Sequence, residues 1–176
     1  MPFTASWEGT DLTAKVDKIG TGHPVTYCHG QTNDAGAVKV GQRFTPAQCD
    51  ELLKQSLPKY LDGIRPCIKV QLPVKTEAAL LDAAYNAGPA AVCSSPMLKK
   101  MNAGDLRGGC EAFASWYVRA NGAAIQGLKN RRAGDSRKGE KQLCLEGVAE
   151  GLPVPEQAPS SLTRILFWLL SLFERI

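Results

Sequence analysis

Several features that would place a chain of 176 residues at once are missing here. No two cysteines form a Cys-x-x-Cys pair, which argues against a structural zinc site and a thioredoxin-like redox motif. There is no internal repeat and no low-complexity tract. The opening residues, MPFTASWEG, carry neither a basic segment nor an apolar one, so they do not read as a secretory signal. No apolar run reaches the about 20 residues that cross a bilayer. Charge of one sign is also scarce: 21 Lys and Arg against 17 Asp and Glu leave +4 at pH 7. So small a surplus suits an anionic polymer, whether nucleic acid or a wall glycan bearing peptide carboxylates, and equally an ordinary soluble surface.

What is present is a composition ordinary for a soluble domain, 44% hydrophobic and 22% charged, which argues against disorder and against a collagen-like fibre. The length fits one domain, built as two lobes around a cleft, and can bury a core without metal or disulfide support. Cysteines stand at 28, 49, 67, 93, 110 and 144. An even, dispersed set suggests three disulfides and an oxidising compartment, although six cysteines allow fifteen connectivities. The segment between Cys93 and Cys110, a short helix and turn, gives Cys93–Cys110 as one expected bond. Disulfides without an export signal are in tension, and the residues before Trp7 are few for a helix. A segment upstream of this N-terminus, or export by another route, is therefore expected.

Residues 1–45, rich in Gly, Thr and Asp with β-type runs such as HPVTYCHG, predict a small sheet with turns. Thr45-Pro46 then opens a helix, with Thr45 as N-cap and Pro46 as first helical residue, and Pro58 is placed to kink or divide it. From Thr76 the pattern turns helical: EAALLDAAYNAG, PMLKKMNAGD, and a segment opening on Asp105 with an aromatic stripe at Phe113, Trp116 and Tyr117. That stripe is read as core. GLKNRRAGDSRKGEKQLCLEGV is a basic stretch leading into a helix. The domain is bounded at 1–150, followed by a Pro-rich linker at 151–161 and an amphipathic helix at 162–176. On that helix Arg164, Ser171 and Arg175 share a narrow polar face. Contact with an anionic membrane surface, docking on the domain, and oligomerisation all stay open.

Cleavage of a glycosidic bond needs an acid to protonate the leaving oxygen and a carboxylate to activate water or steady positive charge. Glu8, Asp17 and Thr26 offer that set within a short stretch, Thr26 as a hydroxyl to hold water. Alone they are three polar residues of the kind that normally sit solvated at a surface. Their surroundings carry more. WEGTDLTAKVDKIGTGHPVTYCHGQT resembles the N-terminal motif of the phage-type lysozymes, glycoside hydrolase family 24. TPAQCDELL, AALLDAAYNAGPAAVCSSPMLKKMNAGDLRGGCEAFASWY and GLKNRR are similar to later motifs of that family, in the same order. The resemblance covers roughly residues 5–150, and the cysteines at 28, 49, 110 and 144 look most like its lambdoid endolysin branch.

The resemblance implies an α+β fold with a small β-rich N-terminal lobe, a larger helical C-terminal lobe and the active-site cleft between them. It implies a lysozyme that hydrolyses the bond between N-acetylmuramic acid and N-acetylglucosamine in peptidoglycan. Such an enzyme is made in an infected bacterial cell and acts in the periplasm and wall, without cofactor, metal or nucleic-acid partner, as a monomer. By carry-over Glu8 is the general acid, Asp17 directs water or steadies the cation, and Thr26 positions that water. Arg131 is a candidate partner of Glu8, and Asn86 is a polar position lining the cleft. Glu8 must be protonated while Asp17 is ionised. An apolar wall from Trp7 or the Tyr85 region would raise the acid and Arg131 would oppose that rise. Cys28 lies two residues from Thr26, so its pairing bears on the shape of the site.

Three departures stand out. The turn between Asp17 and Thr26 is about three residues longer than usual, Gln31 stands where many relatives have histidine, and the run after Arg131-Arg132 is long, which leaves open whether Glu140 fills the family's glutamate position. His23 and His29 are read as structural or exposed. The competing readings are a wall-binding module that keeps the fold without the chemistry, a lytic transglycosylase, and a membrane-perturbing protein acting through its C-terminal helix.

Overall fold

The computed structural model describes residues 3–17, 23–32, 38–116, 119–120 and 123–152. The helix expected at 162–176, most of the 151–161 linker, Tyr117 and the middle of the Asp17–Thr26 turn lie outside the described residues. The architecture is α+β. Helix α1 (Phe3–Glu8) leads into an antiparallel sheet of β1 (Asp11–Val16), β2 (Val25–Cys28) and β3 (Gln31–Thr32), in the order β1-β2-β3. Alternation along these strands buries Ala14 and Tyr27 in a small core with Cys28 and Cys49, where the Tyr27 and Phe44 rings stack at 5.1 Å.

Helix α2 (Pro46–Ile64) connects this lobe to the rest. It opens as expected: Thr45 and Gln48 form a reciprocal capping box, and Pro46 stands in the first turn. Pro58 does not divide it. The carbonyl that Pro58 leaves without a donor belongs to Lys54, and both residues are exposed, so water can take the bond.

After a tight turn at Arg65–Cys67 come α3 (Val74–Ala87), α4 (Pro89–Cys93), α5 (Pro96–Asn102) and α6 (Leu106–Glu111). A turn at Ala112–Ser115, a hairpin of β4 (Arg119–Ala120) and β5 (Ala123–Ala124), then α7 (Gln126–Ala133) and α8 (Glu140–Glu150) complete the helical lobe. Its core gathers Ile64, Leu80, Met97, Met101 and Phe113, with Trp116 packed against it, so these two members of the aromatic stripe are core. α3 and α8 pack closely enough that a Cβ at Gly147 would meet the Thr76 backbone nitrogen at 2.5 Å; only glycine fits. There the Thr76 hydroxyl donates to Cys144 O at 3.0 Å.

The disulfides are Cys28–Cys49, Cys67–Cys93 and Cys110–Cys144. The expected Cys93–Cys110 bond is therefore corrected. Cys93 ends α4, which packs on the end of α2 next to Cys67, whereas Cys110 on α6 faces Cys144 on α8. Proximity in space between helices outweighed proximity along the chain.

Candidate active site

Glu8 is the last residue of α1, at the junction of the two lobes. The helix end is fixed by the segment before α8. Arg137 Nη1 donates to Ser6 O at 3.1 Å, its guanidinium lies 3.9 Å from the centre of the Trp7 ring, and Trp7 Nε1 donates to Lys138 O at 3.1 Å. From the other lobe, His29 is buried with Nδ1 donating to Gly9 O at 2.6 Å and Nε2 3.2 Å from Asp50 Oδ1 on α2. His29 is thus a tie between α1, the β2–β3 turn and α2. Tyr85 on α3 adds a second tie, its hydroxyl donating to His29 O at 2.7 Å. Gly30 follows with φ of +81°, and a Cβ there would sit 3.4 Å from Glu8 Oε2.

On its other side Glu8 meets a buried charge cluster. Arg131 Nη1 donates to Glu8 Oε1 at 2.5 Å. The same guanidinium is gripped by Asp82 of α3, through Nε to Oδ2 at 3.1 Å and Nη2 to Oδ1 at 3.0 Å. Arg131 Nε also lies 3.4 Å from Glu140 Oε1, and Arg132 Nη1 donates to that same oxygen. Arg132 Nη2 donates to Asn86 Oδ1 at 2.6 Å and its guanidinium lies 4.9 Å from the Trp116 ring centre. The Asp82, Arg132 and Glu140 side chains are fully buried, Arg131 is 5% exposed, and Glu8 retains 18%. Glu8 is therefore the one carboxyl of the cluster open to a ligand.

Burial and Arg131 pull Glu8 in opposite directions, and burial wins. Desolvation pushes the Glu8 carboxyl above its ordinary value, the Arg131 charge and hydrogen bond pull it back, and the Asp82 charge adds to the rise. Glu140 is held well above the usual range, by burial first, against the pull of Arg132. Burial works against the Arg131 cation, and the Asp82, Glu8 and Glu140 charges more than offset it.

Asp17 and Thr26 lie on the β-hairpin. Lys15 pairs with Thr26 and Thr26 with Thr32, and the Asp17 N–H donates to Pro24 O at 2.8 Å. The two-residue period of a strand then puts Asp17, Thr26 and Thr32 on one face, with Ala14 and Tyr27 on the core face. The longer turn leaves this pairing in register at its described ends. Two hollows adjoin Glu8. One, about 440 Å³, is lined by Gly30, Gln31, Thr32, Gln55, Ser56, Lys59, Tyr60 and Tyr85. The other, about 280 Å³, is lined by Glu8 itself with Trp7, Asn86, Ile125, Gly127, Leu128, Arg131 and Arg137. Gly30 of the first stands beside Glu8 of the second, and the chain neighbours Tyr85 and Asn86 line one each.

Of the sequence candidates, Glu8, Arg131 and Asn86 come together around one hollow, while Asp17 and Thr26 share a face of the hairpin and line neither hollow. Asp82 was missed. Its signal was a carboxylate set among Ala79, Leu80, Ala83 and Ala84 on the buried face of α3, with no cation within a helical turn on that face.

Comparison with known proteins agrees with this geometry. The phage lysozyme family model matches residues 5–135. The SAR-endolysin of Enterobacteria phage P21 is 34% identical over 140 residues, 80% of this chain and 78% of that protein. The SAR-endolysin of Pseudomonas phage phiKMV is 36% identical over 143 residues, 79% of this chain and 81% of that one. Among solved structures, the endolysin from Escherichia coli O157:H7 phage FAHEc1 superposes with a TM-score of 0.69 at 28% identity, covering 86% of this chain and 91% of the other. The chain belongs to the phage lysozyme family, in its lambdoid endolysin branch.

Proposed function

We propose that Glu8 is the general acid with which this lysozyme cleaves the β-1,4 bond between N-acetylmuramic acid and N-acetylglucosamine of peptidoglycan. The family makes the chain a glycoside hydrolase; the residue roles rest on the site. The carrying observation is that Glu8, alone of the buried cluster, opens on the cleft while burial raises its proton affinity. In this reading the glycan runs along the two hollows past Glu8, which protonates the leaving oxygen. Asp17 stays ionised on the opposite face to direct water or steady the oxocarbenium-like transition state, and the Thr26 hydroxyl orients that water. Asn86 and Arg131 border the sugar on the helical side, Arg131 holding the carboxyl of Glu8 in place.

The test is digestion of purified peptidoglycan by wild-type protein and by Glu8→Gln, with mass analysis of the released fragments. Loss of about 10²–10⁴-fold is expected for removal of a general acid. A fully active variant would overturn the assignment, and a wild-type protein that binds walls but releases no sugar would make the chain a binding module. Reducing ends are expected; anhydro-sugars would instead make the enzyme a transglycosylase. The reading further takes the protein as a monomer acting on the periplasmic side of the wall, with residues 162–176 touching the membrane surface. Sedimentation and binding to anionic vesicles with and without that segment test both points.

A further inference from the structure

The cluster beside Glu8 contains three carboxyl groups, Glu8, Asp82 and Glu140, against two guanidiniums, Arg131 and Arg132. All are buried or nearly so. An uncompensated charge in such a place is costly, so a cluster of three acids and two cations favours keeping one proton. The geometry shows where the cations are spent. Asp82 takes two N–H groups of Arg131 in a fully buried, two-point grip, and Glu140 Oε1 receives Arg132 and borders Arg131. Glu140 Oε2 is buried with no N–H or O–H among the described residues donating to it, and the neighbouring Asp82 carboxyl pushes Glu140 further up, so these two acids compete with Glu8 for the proton. Glu8 is left with the single remaining Arg131 contact, at the open edge.

We propose that Asp82 is a positioning residue for the acid: it consumes the charge of Arg131 and aims its free Nη1 at Glu8, so that Glu8 keeps a proton to donate. This rests on the reading of Glu8 as the general acid and extends it to a residue that no substrate touches. The other groups around Glu8 do not substitute for Asp82. From α3 comes Tyr85, a neutral hydroxyl whose proton is held more tightly because of burial and the Glu8 charge. From the β2–β3 turn comes His29, engaged by Gly9 and by Asp50 of α2. Tyr60 of α2 packs on Tyr85, and Arg137 is placed over Trp7 and bonded to Asp135. From α7 and α8 come Arg131, Arg132 and Glu140 themselves. Replacing Asp82 by the neutral, isosteric asparagine leaves two acids against two cations, and the cluster then needs no proton.

The experiment uses the full chain with its disulfides formed. Side-chain carboxyl carbons are followed by NMR against pH, and wall lysis is measured over the same range, for wild type, Asp82→Asn and Asp82→Ser. In the wild type the Glu8 signal is expected to titrate above the ordinary glutamate range. In both variants that titration and the alkaline limb of lysis are expected to move down together by about one pH unit or more, about a tenfold loss above the limb. A limb that stays put or moves up, or a loss equal at every pH, makes Asp82 merely structural and overturns the proposal. If both variants fail to fold, the wild-type titration decides. Glu8 titrating in the ordinary range, even with a proton held by Glu140 or Asp82, overturns the proposal, whereas a proton retained on Glu8 towards neutral pH supports it. An active Glu8→Gln enzyme would sink the acid assignment while leaving the titration result intact, so the two failures are distinguishable.

Discussion

The two walls of the cleft are held together by different physics. The β-hairpin that carries Asp17 and Thr26 rests on a small core, a ladder of backbone hydrogen bonds and the Cys28–Cys49 bridge, and Asp17, Thr26 and Thr32 on its other face are half-buried. The helical wall that meets Glu8 is a buried network of ion pairs spanning α3, α7 and α8. A strand ladder can place a carboxylate and a hydroxyl side by side on one partly exposed face, where the proposed mechanism has Asp17 ionised. A buried network can hold a carboxyl protonated, as a general acid requires. The difference between the walls matches the opposite protonation states that the proposed roles ask of Glu8 and Asp17.

The largest break in this comparison is Arg131→Met. It strips a cation from beneath Glu8, Asp82 and Glu140 and leaves Arg132 alone among them. Breaking one partner from a buried network costs about 3–5 kcal/mol, and urea unfolding should show a loss of that order. The sign of its pH dependence is fixed. Carboxyls without cations bind protons more tightly folded than unfolded, so the variant should lose further stability as pH rises through their raised values. A stability change below about 1 kcal/mol would show that the network contributes little.

On the other wall the corresponding break is Cys28→Ser with Cys49→Ser. The bridge closes 21 residues of separation between β2 and α2, for which loop-closure entropy gives about 3 kcal/mol. Cys28 also has a positive φ of 55°, a conformation that L-residues adopt at a cost, and it follows Thr26 by two residues. Wall lysis should therefore fall in excess of the stability loss, measured well below the melting temperature, because Thr26 loses its anchor. Equal lysis at such a temperature would mean the strand ladder alone fixes Thr26.

The walls also differ in how far the sequence discloses them. Glu8, Asp17, Thr26 and the Thr45-Pro46 helix start are set by local order: a helix end, a hairpin, a capping box. Local pattern was enough for the helix start, which the capping box confirms; Glu8, Asp17 and Thr26 stood out only through the resemblance of the motifs around them. The helical wall depends on partners far apart in the chain, Arg131 with Asp82 and Glu8, Arg132 with Asn86. Nothing local marks Asp82 as a partner of Arg131, and its only sign was an acid on an apolar face. Three disulfides formed as expected, but the one pairing expected failed in the same way: Cys110 looked nearest to Cys93 in the chain, yet helix packing brought it to Cys144. Pro58 misled for a further reason, since an exposed helix face tolerates the missing donor that a buried one would not.

The smallest change acts where the walls touch. Gly30→Ala must hold a φ of +81°, which costs an L-residue about 1–2 kcal/mol, and calorimetry should record a lowered melting temperature. Its methyl would stand 3.4 Å from Glu8 Oε2, in van der Waals contact, displacing solvent from the one carboxyl oxygen that Arg131 does not hold. Further desolvation favours the protonated acid. The alkaline limb of wall lysis should thus move up, opposite to the shift expected for Asp82→Asn, even as overall activity drops from crowding of the cleft. Should the limb move down with Gly30→Ala, solvent at Oε2 would not be what sets the acid, and the buried wall alone would govern Glu8.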